Sequence, residues 1–403
     1  MPICLKWCQV KSEATIAFIR QNADADVRQL ALRGTKNPEV DLPFALDQIA
    51  GRQTARHKLP SWAAIDGIVY PPHLSMEQCS SEQTARYKAR LVGSGGTMVD
   101  LTGGFGVDFS FLAHGFQHAV YVERQEHLCT IARENFRLLG LSQAEVVCGD
   151  STDYLQTMSP VDVIYVDPAR RDSHGARTYG ISDCTPDVLA LRDLLLSKAK
   201  QVLLKLSPML DWRKAVIDLG EQYVREVHIV SIGNECKELL LVMKPTPNPS
   251  PREGRLFCVN NDTCFEVSLP LSIQTPLPWG GAGGGFLYEP NASIMKAGCF
   301  AELSQHYGVT PIARDSHLFI SADYVAGFPG RSFQIDAITT LNKRDLKETL
   351  GGLTQANITV RNFPLSVAEL RRRLKLSEGG STYIFATTLA TGDRRLFVCH
   401  KVV

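Results

Sequence analysis

Residues 99–108 read VDLTGGFGVD, and this stretch decides the fold of the middle of the chain. The apolar run that ends at Asp100 predicts a buried strand, the glycines predict a tight turn, and the following residues predict a helix. Glycine lets the backbone turn sharply and approach a ligand with no side chain in between. The stretch therefore predicts the first strand, turn and helix of a ligand-binding α/β sheet.

Strand and helix patterns alternate downstream of this turn. Helical patterns cover residues 126–139 and 186–198, and the strand patterns cover residues 97–101, 119–123, 145–148, 161–166, 202–206, 226–230 and 239–243. This alternation predicts a parallel sheet with right-handed crossovers. No full helix separates the last two strands, so we expect them to form an antiparallel hairpin at one edge of the sheet. A further hairpin is expected from residues 255–259 and 265–269.

Acidic residues follow four successive predicted strands. They are Asp100, Glu123, Asp150 and Asp167. In open α/β sheets, ligands bind at the carboxyl ends of the strands. Glu123 lies 19 residues after Gly104, where a carboxylate can accept hydrogen bonds from both hydroxyls of a ribose. Asp150, in the sequence Cys-Gly-Asp-Ser, can reach an adenine amino group.

The turn has the order D-x-x-G-G-x-G, and the fourth strand ends in Asp167-Pro168. In this combination residues 97–245 resemble the class I S-adenosylmethionine-dependent methyltransferases. The resemblance implies that the cofactor is S-adenosyl-L-methionine. It also implies that the glycines cradle the methionine end, Glu123 binds the ribose, Asp150 meets the adenine, and Asp100 orients the turn or the methionine amino group. The predicted cofactor-binding residues are Asp100, Thr102, Gly103, Gly104, Gly106, Glu123, Asp150 and Ser151.

The sequence Asp167-Pro-Ala-Arg-Arg171 stands where this superfamily places its catalytic motif. Enzymes of the superfamily that methylate exocyclic amines of bases often have Asp/Asn-Pro-Pro-Tyr/Phe there, and this chain has Ala169 and Arg170 instead of the second proline and the aromatic residue. We expect Asp167, Pro168 and Arg170 to be catalytic, with Asp167 accepting a hydrogen bond from the acceptor. Transfer would then be an in-line displacement driven mainly by positioning.

Residues near this motif are candidates for contact with the substrate. The two arginines can bind a phosphate or stack on a base, or form a salt bridge with Asp172. Arg171 and Tyr179 are predicted to contact the substrate, Tyr179 as a stacking platform. The sequence Lys-Leu-Ser-Pro at 205–208 ends the fifth strand at the same edge, where it could line a substrate pocket.

Sequences outside the core extend the resemblance to most of the chain. They include SSEQTARYK at 80–88, FLYEPNA at 286–292, VRNFP at 360–364 and ELRRRLKL at 369–376. With them, the chain is similar to bacterial class I methyltransferases that end in a THUMP-like domain, with a small ferredoxin-like segment before it. Helix-start signals at Ser12-Glu13 and at Ser81-Glu82 predict a helical region at 1–95. The resemblance implies a seven-stranded Rossmann-like methyltransferase domain at 96–270, a ferredoxin-like segment at 271–326 and a THUMP-like domain at 327–403. The expected fold class is therefore α/β with α+β modules at the C-terminus.

The charge distribution agrees with a polyanionic partner. The net charge is +3 over residues 1–95, −8 over residues 96–326 and +6 over residues 327–403. Basic ends around an acidic middle are typical of a catalytic core with modules that meet a polyanion. THUMP domains are associated with RNA-modifying enzymes, so the resemblance implies tRNA or rRNA as the partner. Four positive side chains on one predicted helix suit phosphate contact, although they also suit a solvated helix face: Arg371, Arg372, Arg373 and Lys375.

The composition excludes several classes of protein. The chain has 403 residues, of which 44% are hydrophobic and 21% charged, which excludes disorder as the dominant state. No apolar run approaches the ~20 residues of a membrane helix, and no secretory signal begins the sequence. The 11 cysteines show no C-x-x-C spacing, so we expect no metal site and a cytoplasmic location. Two alternatives stay open: a methyltransferase for small molecules or proteins, and an RNA-binding protein with an inactive core.

Overall fold

The structure is a computed structural model that describes residues 12–170, 180–245, 254–272 and 285–402. The chain divides into two compact units. The first comprises Met1–Arg225 and Leu240–Pro249, and the second comprises Glu226–Leu239 and Ser250–Val403. Among the helices of the described ranges, none combines the length and the apolar character that crossing a bilayer requires.

The first unit begins with helices, as predicted. They are α1 (Glu13–Gln21), α2 (Val27–Arg33), α3 (Leu42–Lys58), α4 (Pro60–Ala63), α5 (His73–Gln78) and α6 (Glu82–Val92). At four of them, a Ser or Asp side chain before the helix accepts a hydrogen bond from a backbone N–H of the first turn, which stabilises the helix start. Trp62 is buried and packs edge-to-face against Phe105, with ring centroids 5.1 Å apart. This contact fixes the helical region against the glycine-rich turn.

A mostly parallel sheet follows. Its strands are β1 (Gly95–Asp100), β2 (Phe116–Glu123), β3 (Ala144–Cys148), β4 (Val161–Val166), β7 (Ala199–Leu206), β8 (Val224–Ile232) and β9 (Glu235–Met243). A short antiparallel pair, β5 (Ala169–Arg170) and β6 (Cys184–Thr185), lies between β4 and β7 in the sequence. The helices are α7 (Val107–Leu112), α8 (Glu126–Leu138), α9 (Ser151–Thr157), α10 (Val188–Lys198) and α11 (Trp212–Leu219).

These seven strands follow the order β8-β9-β7-β4-β1-β2-β3 within a sheet that has nine strands in the described ranges and continues beyond β8. The pairs β1–β2, β1–β4, β2–β3 and β4–β7 are all parallel. Since a two-residue turn joins β8 to β9, these two strands form the expected antiparallel hairpin. The hairpin does not lie at the edge of the sheet as expected, because two further strands extend the sheet beyond β8. The predicted seven-stranded Rossmann-like core is therefore confirmed. The parallel strands bring the carboxyl ends of β1 to β4 to the same edge.

The second unit contains most of the β8–β9 hairpin, at Glu226–Leu239, and a second sheet. Strand β10 (Arg255–Asn260) pairs antiparallel with β11 (Thr263–Ser268), and it also pairs parallel with β8. The second sheet has the order β13-β14-β12-β15-β18-β17-β16. Its strands are β12 (Phe286–Pro290), β13 (Thr310–Pro311), β14 (Phe319–Ser321), β15 (Gly330–Thr339), β16 (Asn357–Arg361), β17 (Thr382–Thr388) and β18 (Arg394–Lys401). The helices are α12 (Ala292–Ala297), α13 (Phe300–Tyr307), α14 (Lys343–Leu350) and α15 (Val367–Leu374).

This second sheet buries a separate apolar cluster on each face. Successive residues of a strand point to opposite faces, and accordingly Phe385 packs with Phe333 and Phe397 while Ile384 packs with Leu370 and other residues. The sheet with its helices therefore has the α+β arrangement that the sequence predicted for the C-terminal modules.

One predicted helix differs from the structure. The sequence of residues 292–307 predicts one helix, whereas the structure has two, α12 and α13. Gly298 has a φ of +66°, a left-handed conformation that ends a helix. The second helix then begins at Phe300. The glycine run at 280–285 predicts a flexible joint, and most of it lies outside the described residues.

We predict that Phe385→Ala lowers the free energy of unfolding by about 3–5 kcal/mol, because it removes a fully buried ring from this core. Val367→Ala, at a residue that is 38% exposed in the same unit, should cost less than about 1 kcal/mol. Urea unfolding of the full chain measures both. Equal losses in the two variants would contradict the assigned core.

Candidate functional site

The glycine-rich turn between β1 and α7 is fixed by close packing. The Gly103 N–H donates to the Val122 carbonyl (3.0 Å), and the Gly106 N–H donates to the Gly103 carbonyl (2.8 Å). A Cβ on Gly103 would lie 2.2 Å from the ring of Tyr121. Gly106 has a φ of +85°, and a Cβ there would lie 2.8 Å from the Phe136 ring. The turn thus needs glycine at both positions to lie against the sheet.

Glu123 lies at the end of β2 and is held by the same turn. One of its carboxylate oxygens accepts the Gly104 N–H (3.0 Å) and the other accepts the Gln125 N–H (2.8 Å). Each carboxylate oxygen can accept a second hydrogen bond. Both oxygens are therefore fixed in position and still able to accept hydrogen bonds from a pair of ligand hydroxyls.

Asp150 lies beyond β3, beside Glu123. The Gly149 N–H donates to the Glu123 backbone carbonyl (3.0 Å), which connects the two strand ends. Asp150 caps helix α9: its Oδ1 accepts the N–H groups of Thr152 (2.8 Å) and Asp153 (3.3 Å). The residue is exposed, and Oδ2 has no hydrogen-bond partner in the described part of the chain. Ser151 is the first residue of this helix.

Thr102 joins the ends of β1 and β4. Its N–H donates to Asp100 Oδ1 (2.8 Å), its hydroxyl oxygen lies 3.3 Å from the same atom, and that oxygen accepts the Asp167 N–H (2.7 Å). Asp100 is buried. Burial raises the pKa of its carboxyl well above the usual value, the charges of Asp108 and Asp167 add to this rise, and the Thr102 N–H opposes it. Asp100, Thr102 and Asp167 thus form one hydrogen-bonded network at the carboxyl edge of the sheet.

Asp167 also forms an ion pair with Lys205 at the end of β7. Lys205 Nζ lies 2.6 Å from Asp167 Oδ2 and 3.8 Å from Asp108 Oδ2. Partial burial raises the pKa of Asp167 above its usual value, and the Lys205 ammonium group opposes this rise. The side chain of Asp167 is 37% exposed, so part of the carboxylate faces the outside of the unit.

Asp108 is the centre of a buried polar cluster. Its Oδ2 accepts hydrogen bonds from Ser80 (2.8 Å) and Tyr165 (2.7 Å), and Lys88 Nζ lies 3.1 Å from its Oδ1. Burial alone would raise the pKa of Asp108, but Lys88 and Lys205, together with the two hydrogen bonds, bring it below the usual value. A buried carboxylate is tolerated when it is paired and hydrogen-bonded in this way.

The pairing of these charges was not predicted from the sequence. One signal was present: Lys88 lies on the face of α6 that also carries Ala85 and Val92, both buried. A lysine in an apolar stripe indicates a buried partner, because lysine is almost never fully buried unless it is paired. The partner itself, Asp108, could not be identified from sequence spacing.

The structure places the other predicted residues as follows. Pro168 is buried, and Arg170 lies in β5, where its backbone pairs with Cys184. Arg171 and Tyr179 lie outside the described residues. On α15, the Arg371 guanidinium donates to the Ala356 carbonyl (3.1 Å), whereas Arg372, Arg373 and Lys375 are exposed. In the described ranges, no group of three or more His, Cys, Asp or Glu side chains could hold a metal ion.

We predict that Gly103→Ala lowers the free energy of unfolding by about 1–3 kcal/mol, because its new methyl group overlaps the Tyr121 ring. Gly149→Ala is the matched control, since a Cβ there has no heavy atom within 4 Å, and its effect should stay below about 0.5 kcal/mol. Thermal unfolding compares them. A Gly103 variant as stable as the wild type would show that the turn does not need this close approach.

Three family models match parts of the chain. Residues 85–173 match the protein-L-isoaspartate (D-aspartate) O-methyltransferase model, residues 286–329 match a ferredoxin-like domain, and residues 330–401 match a THUMP domain-like model. Among the curated proteins, no sequence matches this chain.

Similar solved structures include one that extends over the whole chain. It is the crystal structure of a "putative methyltransferase" from Porphyromonas gingivalis W83, with 32% sequence identity, a TM-score of 0.86, and coverage of 98% of this chain and 99% of that one.

Two more distant matches cover 41% of this chain with 15% identity and a TM-score of 0.31 each. One is a Streptococcus mutans "putative methyltransferase" in complex with SAH, of which 97% is covered, and the other is an rRNA methylase from Streptococcus thermophilus, of which 95% is covered. Both are too distant to indicate function.

The P. gingivalis structure matches the whole chain, and the family models assign a methyltransferase domain, a ferredoxin-like segment and a THUMP-like domain in the order that the fold shows. The chain therefore belongs to the family of methyltransferases that carry a C-terminal THUMP-like domain.

Proposed function

We propose that this protein transfers a methyl group from S-adenosyl-L-methionine to a base of RNA, either tRNA or rRNA. The main support is the arrangement at the carboxyl edge of β1 to β4. There, hydrogen bonds connect the glycine-rich turn to Glu123, Glu123 to the turn that carries Asp150, and Thr102 to Asp167. This edge therefore combines the backbone of the glycine-rich turn with the carboxylates of Glu123 and Asp150 and with the partly exposed Asp167.

The donors and acceptors of this edge fit the cofactor. Glu123, with both oxygens fixed, would accept hydrogen bonds from the two ribose hydroxyls. Asp150 Oδ2 would accept one from the adenine amino group, while Oδ1 continues to cap α9. Gly103, Gly104 and Gly106 would let the backbone approach the methionine end. Thr102 and Asp100 hold the turn, and Ser151 borders the adenine side.

Asp167 would bind and orient the acceptor nitrogen. When bound, S-adenosyl-L-methionine supplies an electrophilic methyl group on its sulfonium. The carboxylate of Asp167 accepts a hydrogen bond from the acceptor amine and directs its lone pair toward that methyl group. Pro168 follows Asp167 and shapes the backbone beside it. Catalysis then rests mainly on orientation and on a preorganised charge that faces the developing positive charge of the amine.

RNA as the substrate is supported by the second unit. Its THUMP-like part carries a net charge of +6 over residues 327–403. Arg372, Arg373 and Lys375, at the end of α15, are exposed, and Arg373 also donates to the Leu341 carbonyl (3.4 Å). Exposed arginine and lysine side chains bind phosphates with an affinity that falls as salt rises. Arg371 also donates to the Ala356 carbonyl, a contact that holds α15 to the fold.

A second candidate function follows from the atypical motif. Ala169 and Arg170 stand where base-amine enzymes carry a proline and an aromatic residue, which favours a substrate other than a base: a small molecule or a protein. Transfer of a tritiated methyl group to total RNA, to protein and to a small-molecule extract separates the candidates. Cofactor binding with no transfer to any of them would indicate an RNA-binding protein with an inactive core.

We predict that Asp167→Asn lowers methyl transfer by about 100-fold or more, because a neutral amide replaces the acceptor-binding carboxylate. Affinity for S-adenosyl-L-methionine should change by less than about threefold, since Asp167 is assigned to the acceptor and not to the cofactor. Asp153→Asn, on the exposed side of α9, is the charge-matched control. Calorimetric titration and a transfer assay measure the two effects. A large loss of cofactor affinity in Asp167→Asn would refute its assignment.

We predict that replacing Arg372 and Arg373 with glutamine weakens RNA binding and lowers the slope of log affinity against log salt by about one for each lost phosphate contact. The control removes two exposed arginines of another helix, Arg28 and Arg33 on α2. Filter binding at several salt concentrations gives both slopes. An unchanged slope in the α15 variant would show that this helix does not contact RNA.

A further inference from the structure

Four charged side chains of the first unit form a chain of alternating sign that ends at Asp167. Lys88 contacts Asp108 (3.1 Å), Asp108 lies near Lys205 (3.8 Å), and Lys205 contacts Asp167 (2.6 Å). The exposed fraction of the side chain rises in the same order: 0%, 10%, 13% and 37%. The chain therefore runs from the interior to the open edge of the sheet.

The inner part of this chain is fixed by neutral groups. Ser80 accepts a hydrogen bond from Lys88 Nζ (3.0 Å) and donates to Asp108, and the Tyr165 hydroxyl also donates to Asp108. Asp108 thus has a fixed position, which the helical region and β4 provide together. It in turn attracts Lys205, whose ammonium group can reach Asp167 from there.

The environment of Asp167 gives Lys205 a specific task. The acidic groups that act on Asp167 are Asp100 and Asp108, and the cations are Lys205 and Lys88. Nearby acids and partial burial both favour the protonated form of a carboxyl. A protonated Asp167 would carry an O–H donor on one of its oxygens. The substrate amine that receives the methyl group needs a hydrogen-bond acceptor at that position. Lys205 is the cation in direct contact with Asp167, and its charge opposes this protonation.

We propose that Lys205 is a positioning residue for methyl transfer: it holds Asp167 in its ionised form and fixes Oδ2, so that Oδ1 faces the acceptor. Oδ1 has no hydrogen-bond partner within the described ranges, and the side chain is partly exposed. The inference rests on the proposed function in one respect, namely that Asp167 binds the acceptor. Asp108 and Lys88 support Lys205 from behind and do not contact the acceptor.

The first test measures the charge state of Asp167 directly and needs no acceptor. Carbon-13 labelling of aspartate carboxyls allows an NMR titration of the full chain, with the Asp167 signal assigned by its absence in Asp167→Asn. In Lys205→Met, loss of the ammonium group should raise the pKa of Asp167 above its value in the wild type. If Lys205→Met does not fold, Lys205→Gln tests the same loss of charge. An unchanged or lowered pKa of Asp167 would overturn the proposal.

The second test asks whether Lys205 acts through Asp167. Lys205→Met should lower methyl transfer by about 30-fold or more in the wild-type background and by less than about threefold in Asp167→Asn, because the residue that it positions is then already lost. Cofactor affinity should stay within about threefold in both. A merely structural role predicts the same loss in both backgrounds, and that result would overturn the proposal.

Lys200 provides the matched control on the same strand. It contacts Asp162 at 2.6 Å with a side chain that is 81% exposed, and the Lys200 ammonium together with the Gly96 and Thr97 N–H groups lowers the pKa of Asp162 to about 2. Lys200→Met should leave both transfer and the pKa of Asp167 unchanged. If the wild type transfers no methyl group to RNA, the proposed function fails, while the titration of Asp167 still decides whether Lys205 keeps it ionised.

Discussion

The contact between the glycine-rich turn and the Tyr121 ring is the constraint on which the site depends. Because Gly103 has no side chain, its backbone can lie against β2 and donate to the Val122 carbonyl. The Gly104 N–H then points to Glu123, and Thr102 reaches both Asp100 and Asp167. One packing requirement thus sets the position of three carboxylates at the edge of the sheet.

The site combines two kinds of carboxylate. Glu123 and Asp150 are fixed by backbone N–H groups, which hold an acceptor in place and leave further lone pairs for a ligand. Asp108 and Asp167 are instead set by lysines, so their charge state depends on an ion pair. The first kind suits the binding of a polar nucleoside, and the second suits a step in which the charge of the carboxylate matters.

Much of this could be predicted from the sequence. The strands of the sheet and the common edge followed from local patterns, because strand periodicity, glycine turns and acids at strand ends each involve a few neighbouring residues. The connection of Lys88, Asp108 and Lys205 could not be predicted, since the three residues come from separate elements and their contact depends on how those elements pack. The helix break at Gly298 was missed for another reason: the apolar pattern continues through it, and only the left-handed backbone ends the helix. The contact between Arg371 and the Ala356 carbonyl could not be predicted for the same reason as the contacts of Lys205, because the two groups are distant in the sequence.

The division of the chain at the β8–β9 hairpin has a consequence for dissection of this protein. The boundary between the units crosses the backbone after Arg225, after Leu239 and after Pro249. Neither unit is therefore a continuous piece of sequence, and no single peptide-bond cleavage separates them, because even a cut after Pro249 leaves Glu226–Leu239 joined to the first unit. A fragment that ends before β8 would lose four strands of the sheet, β8 to β11. A truncation meant to separate the proposed methyl transfer from the proposed RNA recognition would consequently have to begin downstream of β11, and point substitutions keep both units intact.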